Sequence, residues 1–321
     1  MCPVGGVLVE TKCPIDNLCE DLGDLRTLTR RKKEALYGIL LVLPSVVVIG
    51  ATAAYPLVKG ISFSFFKLSG FSYDGPFVGL ANYARVISSF LFMESFRNNA
   101  IWAFGTLAGQ IVVGLVTALL LNRAFRGKSV AQGLILFPYI IPGIIAVIVW
   151  RWMLHDQYGV INLVLKRWIG LEESIHWLAT PTLAMVSLIL VGIWKFFPFA
   201  TICFLARLQI IPPELYDAAK VDGASPWKEF WHVTLPQLRE VFFVVVLLRG
   251  IFMYLKFDIP WLLTAGGPGT STYTLPIMSY VEAFQQMQRG TSAAIACVLF
   301  ATLAAVALVY FFAFEQEESV E

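Results

Sequence analysis

The chain has 321 residues, of which 58% are hydrophobic and only 14% charged, where a soluble domain carries about 25% charged residues. At a mean hydropathy of +0.72 too few polar side chains remain to cover a water-facing surface, so the composition defines an integral membrane protein. The net charge of +2, with no lysine/arginine cluster interleaved with aromatics, leaves no footprint for nucleic acid.

Residues 1–35 read as a cytoplasmic tail of little order. Its Cys2, Cys13 and Cys19 lack both CxxC spacing and accompanying histidines, so they read as unpaired thiols. The tail ends in Arg30-Arg31-Lys32-Lys33 before an apolar run long enough to stay in the membrane as an anchor. A spanning helix needs roughly 20 mostly apolar residues. Six segments qualify, at about 36–58, 98–121, 131–153, 179–203, 241–262 and 291–314. The fifth is the least clean, because Arg249, Lys256 and Asp258 fall in or beside it. With the N-terminus inside, the basic residues of the tail, of 122–130 and of 204–240 outnumber those of the opposite connections, so the positive-inside rule places both termini in the cytoplasm. The predicted fold is all-α: one transmembrane domain over 36–314, a cytoplasmic loop at 204–240, and an acidic cytoplasmic tail at 315–321. Residues 60–97 predict a short surface helix, and Thr264-Ala265-Gly266-Gly267-Pro268-Gly269 a tight turn after the fifth span.

Covalent chemistry has no foothold. The sequence lacks GxxxxGK[ST], GxGxxG, HExxH and GxSxG, and His155, His176 and His232 lie far apart. No metal site and no catalytic residue is predicted. Charges inside spans are more informative, since each costs on the order of 2.5–3.5 kcal/mol by insertion scales and faces a cavity or a partner. Lys195 and Arg249 are candidates for a translocation path, or else pair, snorkel and hold helices together. Lys256 and Asp258 read as a structural pair. Trp194, Phe196, Phe197 and Tyr254 could stack on sugar faces or simply pack. Pro138 and Pro142 in FPYIIPG interrupt the helical hydrogen-bond ladder and bend the third span.

The loop between spans four and five reads PELYDAAKVDGASPWKEFWHVTLP over residues 213–236. Pro212-Pro213 is preset for a helix start, and Glu214 and Asp217 suit the positive end of that helix. Ala218 and Ala219 leave a face that another surface can approach closely, and Gly223 ends the helix. A second short helix over about 226–232 carries Trp227, Phe230 and Trp231, and Leu235-Pro236 opens span five. Physically this is a docking knob on the cytoplasmic side, or an interfacial helix-turn-helix that only connects two spans.

At these residues the sequence resembles the permease subunits of ATP-binding-cassette importers. Their loop carries Glu-Ala-Ala, three residues, Gly, nine residues, Ile-x-Leu-Pro. Here the series is Asp217-Ala218-Ala219, Gly223 and Val233-Thr234-Leu235-Pro236 with every spacing kept, Asp and Val being the departures. GIWKFFPF, FVGLANY, LFPYIIPG and KFDIPWLLTAGGP are similar to the carbohydrate branch, and the TxGGP turn to the first of the two paired permeases in maltose- and glycerol-phosphate-type systems.

The resemblance implies a non-enzymatic, multi-pass subunit of a bacterial or archaeal cytoplasmic membrane. Two such permeases form the pore, two cytoplasmic ATPase subunits dock on the loop, and an extracytoplasmic solute-binding protein delivers a carbohydrate or polyol phosphate. ATP and Mg belong to the partner subunits, and this chain holds no cofactor. Glu214, Asp217, Ala218, Ala219, Gly223, Leu235 and Pro236 are then the coupling residues, and Trp194, Lys195, Phe197, Arg249 and Tyr254 the candidate substrate path. The alternatives are a secondary carrier, which needs repeat-related halves and relay carboxylates, and a channel for small polar solutes.

Overall fold

A computed structural model describes residues 37–70, 74–170 and 172–318, together with Lys32, Glu34 and Ala35. The three N-terminal cysteines and the end of the acidic tail lie outside the described residues. The chain falls into two compact units, one ending at Gly60 and the other starting at Ile61. The first carries most of helix α1, Tyr37–Phe63, which is widened by a π-helical turn at Gly50–Ala54. Its apolar side chains, such as Leu41 at 80% exposure, are open.

The second unit is helical throughout, with no strand among the described residues; Phe66 and Phe77, and Ser69 and Gln288, pair only as isolated bridges. In chain order its helices are α2 (Ala81–Ile87), α3 (Phe90–Asn122), α4 (Lys128–Ile140), α5 (Gly143–Met153), α6 (Val160–Ile169), α7 (Pro181–Leu208), α8 (Pro213–Val221), α9 (Pro226–Glu229), α10 (Arg239–Tyr254), α11 (Asp258–Thr264), α12 (Leu275–Tyr280) and α13 (Arg289–Glu318). A one-turn helix, Leu235–Gln237, precedes α10.

Among the described residues four helices are long and apolar enough to cross a membrane: α1, α3, α7 and α13 up to Phe312. The third predicted span is two helices, α4 and α5, set at 93° across Ile141-Pro142; counted as one span they make a fifth. The expected bend is therefore a break. Pro142 has no N–H to give, and its ring disfavours a helical conformation for Ile141, whose ψ is 134°. The fifth predicted span is also divided. Helix α10 stops at Tyr254, where the lysine, phenylalanine and aspartate of LKFD meet the end of the apolar run, and α11 starts at Asp258.

The centre of the unit is the pairing of α3 with α7. Helices in lipid gain little from hydrophobicity and associate where small residues let backbones approach. A Cβ added at Gly109 would lie 2.1 Å from Ile193 Cδ1, and one at Gly114 would lie 2.6 Å from Ala200 Cβ and 3.1 Å from the Thr201 nitrogen. On the other helix, Gly192 leaves room for Trp102, which is fully buried. Around this seam Trp102, Leu188, Val191, Met253 and Ile259 form one core cluster. Ala200, Phe204, Leu208, Leu238 and Val245 form another toward the 213–236 segment. A third joins α2, α12 and α13 through Val86, Met278 and Ile295.

Polar side chains serve backbone carbonyls around the second break. Trp102 Nε1 donates to the Met253 carbonyl at 3.1 Å and Asn99 Nδ2 to that of Tyr254 at 3.3 Å. Asn98 Nδ2 donates to the Thr270 carbonyl at 2.7 Å in the glycine-rich turn. That turn is tight as expected: Ala265 and Gly266 have φ of 50° and 89°, and Thr272 Oγ1 donates to the Gly267 carbonyl at 2.8 Å.

Candidate functional site

The 213–236 segment leaves α7 through Pro212, whose ψ of 129° turns the chain before Pro213 opens α8. Glu214 lies in the first turn and Lys220 in the last, each at the helix end its charge suits. The helix closes in a Schellman arrangement. Gly223 N–H donates to the Lys220 carbonyl at 3.0 Å, and Ala224 N–H donates to the Ala219 carbonyl at 2.9 Å. The closure requires Gly223 in the left-handed region, at φ +74°, where a side chain costs about 1–2 kcal/mol.

Glu214, Asp217 and Ala218 are exposed, Ala219 is half-buried, and nothing lies within 4 Å of a Cβ built at Gly223. The small-residue face is therefore open within this chain. Asp217 accepts a 3.2 Å contact from Lys220 one turn on, both side chains being solvated, which gives the pair little strength. The second helix is shorter than expected. Ser225 caps α9 by accepting from Lys228 N–H at 3.4 Å, and Phe230–Thr234 then widens into a π-helical turn that leads to Leu235 and Pro236. Trp227, Phe230 and Trp231 pack their rings 5.5 to 6.1 Å apart, with Trp227 70% exposed. The knob is fastened to the bundle by Tyr216 Oη, 3.2 Å from the Oγ1 of buried Thr234. Arg207 Nε adds a bond to the Gln237 carbonyl at 2.9 Å.

Deeper in the unit, Arg249 is 5% exposed, and no carboxylate pairs with it among the described residues. Its Nε donates to Gln110 Oε1 at 2.9 Å. The guanidinium lies over the rings of Phe196, Phe199 and Phe252 at 4.6, 5.4 and 5.9 Å. A desolvated cation over an aromatic face gains about 2 kcal/mol, so the cage offsets part of the cost of burial. Arg249 Nη2 and Gln110 Nε2 remain buried donors without an acceptor. Lys256 Nζ lies 5.2 Å from the centre of the Phe196 ring and 3.1 Å from Asp258 Oδ1.

The candidate path residues do not form one wall. Arg249 and Lys256 meet at Phe196. Trp194 makes an edge contact with Trp150 of α5 at 5.4 Å. Lys195, 4% exposed, turns to the end of α4. Phe197 is half-buried. Tyr254 faces elsewhere, bonding Thr302 at 2.8 Å in an apolar cleft of about 270 Å³ between α3, α10 and α13. Sequence reasoning missed Gln110, Phe199 and Phe252. A lone glutamine inside the apolar run of α3 was a usable signal; the two phenylalanines carried none. No group of three or more His, Cys, Asp or Glu side chains that could hold a metal occurs among the described residues.

An all-helical unit with apolar membrane-length helices, and with an exposed helix-turn-helix following one of them, is the architecture of a membrane-spanning protein. Residues 110–316 match the family described as the binding-protein-dependent transport system inner membrane component. The chain belongs to that family, as a non-catalytic permease subunit of an ABC importer. The inner membrane ABC transporter permease YcjO of Escherichia coli is 36% identical over 85% of this chain and 92% of its own. The trehalose/maltose permease MalF of Thermococcus litoralis is 34% identical over 87% and 93%. The sulfoquinovosyl glycerol permease SmoG of Agrobacterium fabrum is 35% identical over 86% and 90%. The fold is also that of a bacterial ABC transporter importing the acidic polysaccharide alginate. That match has a TM-score of 0.79 at 22% identity, over 91% of this chain and 99% of that one.

Proposed function

We propose that this chain forms half of the pore of an ATP-driven carbohydrate importer, beside a second homologous permease. Two cytoplasmic ATPase subunits, which hold the ATP and Mg, dock on 213–236, and an extracytoplasmic binding protein supplies the solute. Read as six crossings, with α4–α5 and α10–α11 each counted as one broken crossing, the chain keeps both termini and α8 on one side, which the distribution of basic residues makes the cytoplasmic one. The observation that carries the reading is α8 itself: a glycine-closed helix with an exposed Asp217 and Ala218, fastened at its base. The carbohydrate assignment draws on the substrates named for MalF and SmoG. It also draws on the aromatic cage at Arg249, where two buried donors without acceptors suit an oxygen-rich solute. Trp194 and Phe197 belong to the path as flanking rings, whereas Tyr254, turned to Thr302, stands apart from it. Lys256 and Asp258 pair beside it.

The test is capture of an ATPase subunit on tagged permease, followed by ATP-driven uptake in proteoliposomes. Asp217→Arg combined with Ala218→Glu should lose the ATPase and uptake together while the permease still inserts. Uptake that continues with no ATPase present would leave the secondary carrier or the channel as the better reading.

A further inference from the structure

Two prolines four residues apart leave a specific debt at the end of α4. The carbonyl of Pro138 would normally accept from the N–H of residue 142, and Pro142 has none. The break at Ile141 also removes helical partners for Tyr139, Ile140 and Ile141. The carbonyls at the negative end of the helix are therefore left without helical partners in an apolar span. An ammonium carries three N–H donors. Lys195 of α7 brings its Nζ to the Pro138 oxygen at 2.7 Å, to the Tyr139 oxygen at 3.1 Å and to the Ile141 oxygen as well. Each of the three donors thus meets a carbonyl that the break leaves without a helical partner, and the side chain is 4% exposed.

The other side of the break has the opposite charge. Helix α5 begins at Gly143 with no side-chain cap, and Asp258 Oδ2 lies so close that a Cβ at Gly143 would come within 3.2 Å of it. Asp258 opens α11 and pairs with Lys256, and Lys256 lies over Phe196, the residue after Lys195. Both broken crossings thus meet α7 at residues 195 and 196. About 20 Å further along α7, at 1.5 Å per residue, Leu208 ends the helix, and after four intervening residues α8 begins at Pro213.

We infer that Lys195 is a positioning residue: its ammonium holds the α4–α5 bend to α7, so that movement of α8 reaches the bend as a movement of α7. Lys195 then acts on transport through the backbone of 138–141, without touching the solute. The inference rests on the coupling role given to α8, and the test separates the two.

Spin labels at Gly133→Cys and Val149→Cys, both exposed, report the distance across the bend by pulsed electron paramagnetic resonance. The sample is tagged permease co-purified with its partner subunits in nanodiscs. Lys195→Met should broaden and lengthen the distance distribution and cut uptake at least ten-fold while ATP hydrolysis continues. Lys195→Arg, which keeps several donors, should restore both. A native distribution in Lys195→Met overturns the clamp, and an altered distribution with native uptake overturns its role in transport. If Lys195→Met does not assemble, Lys195→Gln, with two donors and no charge, carries the same comparison. Failure of the coupling reading would appear separately, as loss of nucleotide-dependent distance change in the otherwise native complex.

Discussion

A single ionisable side chain can read out the packing of one end of this molecule. Glu282, in the π-helical turn Val281–Gln285 after α12, has its carboxyl pushed up by burial, an effect that nearby Arg85 opposes. Tyr273, pushed up to about 12 by burial and by Glu282, belongs to the same region. A carboxyl whose folded pKa is raised binds its proton more tightly in the native state. Its contribution is present below the ordinary carboxylate value and is lost as pH rises through the folded value. Glu282→Gln should therefore raise the melting temperature at pH 7 by a few degrees at most, with no gain at pH 4. Scans of detergent-solubilised protein across that range check it, and an equal effect at both pH values would contradict the assignment to ionisation. The phenol works at the other extreme: Tyr273 favours the native state while neutral, and that contribution fades only above pH 10. Gly223 is the second informative residue. Gly223→Asn keeps access to φ +74° and should retain ATPase capture. Gly223→Val should reduce capture several-fold in the same pull-down through backbone strain alone, since nothing in this chain stands near its Cβ.

At the scale of elements, the α3–α7 seam explains how polar groups are tolerated in helices this apolar. Close approach at Gly109, Gly114 and Gly192 brings Trp102 and Asn99 against the end of α10, where their N–H groups serve carbonyls of its last turn. The same helix supplies Gln110 for Arg249. Gly114 is the severest point, because the obstacle includes the Thr201 backbone as well as Ala200, and a backbone cannot swing aside as a rotamer can. Gly114→Leu should cost about 1–3 kcal/mol by overpacking. It should also lower the yield of folded permease on size exclusion, whereas Gly133→Leu, with open space around its Cβ, should leave the yield unchanged.

For the whole molecule, the residues that were legible in the sequence are those whose physics is local. Pro213 at a helix start, Gly223 at a helix end and the Thr264–Gly269 turn each follow from backbone preferences of a few neighbouring residues. A count of apolar runs located the membrane-length helices α1, α3, α7 and α13 for the same reason. The 93° break at Pro142 was harder. Prolines announce a bend, but its size depends on what satisfies the freed carbonyls, and the answer, Lys195, lies more than fifty residues away in sequence. The Phe196, Phe199 and Phe252 cage was invisible because a phenylalanine in an apolar helix looks the same whether it faces lipid or a cation. Long-range organisation also gives the sharpest test of the assembled transporter. If α8 is a knob that moves the bundle, its exposed face and its anchored base should fail differently. Ala218→Trp adds bulk only on the open face, so the permease should insert and assemble while uptake falls at least ten-fold and ATP hydrolysis persists in proteoliposomes. Tyr216→Phe removes the bond to Thr234 at the base and leaves the face intact. It should keep the ATPase bound yet lower uptake per ATP hydrolysed, because a looser base transmits less of the stroke. Equal uptake-to-hydrolysis ratios in Tyr216→Phe and the native complex would mean that the stroke passes through the chain from Pro212 into α7 alone.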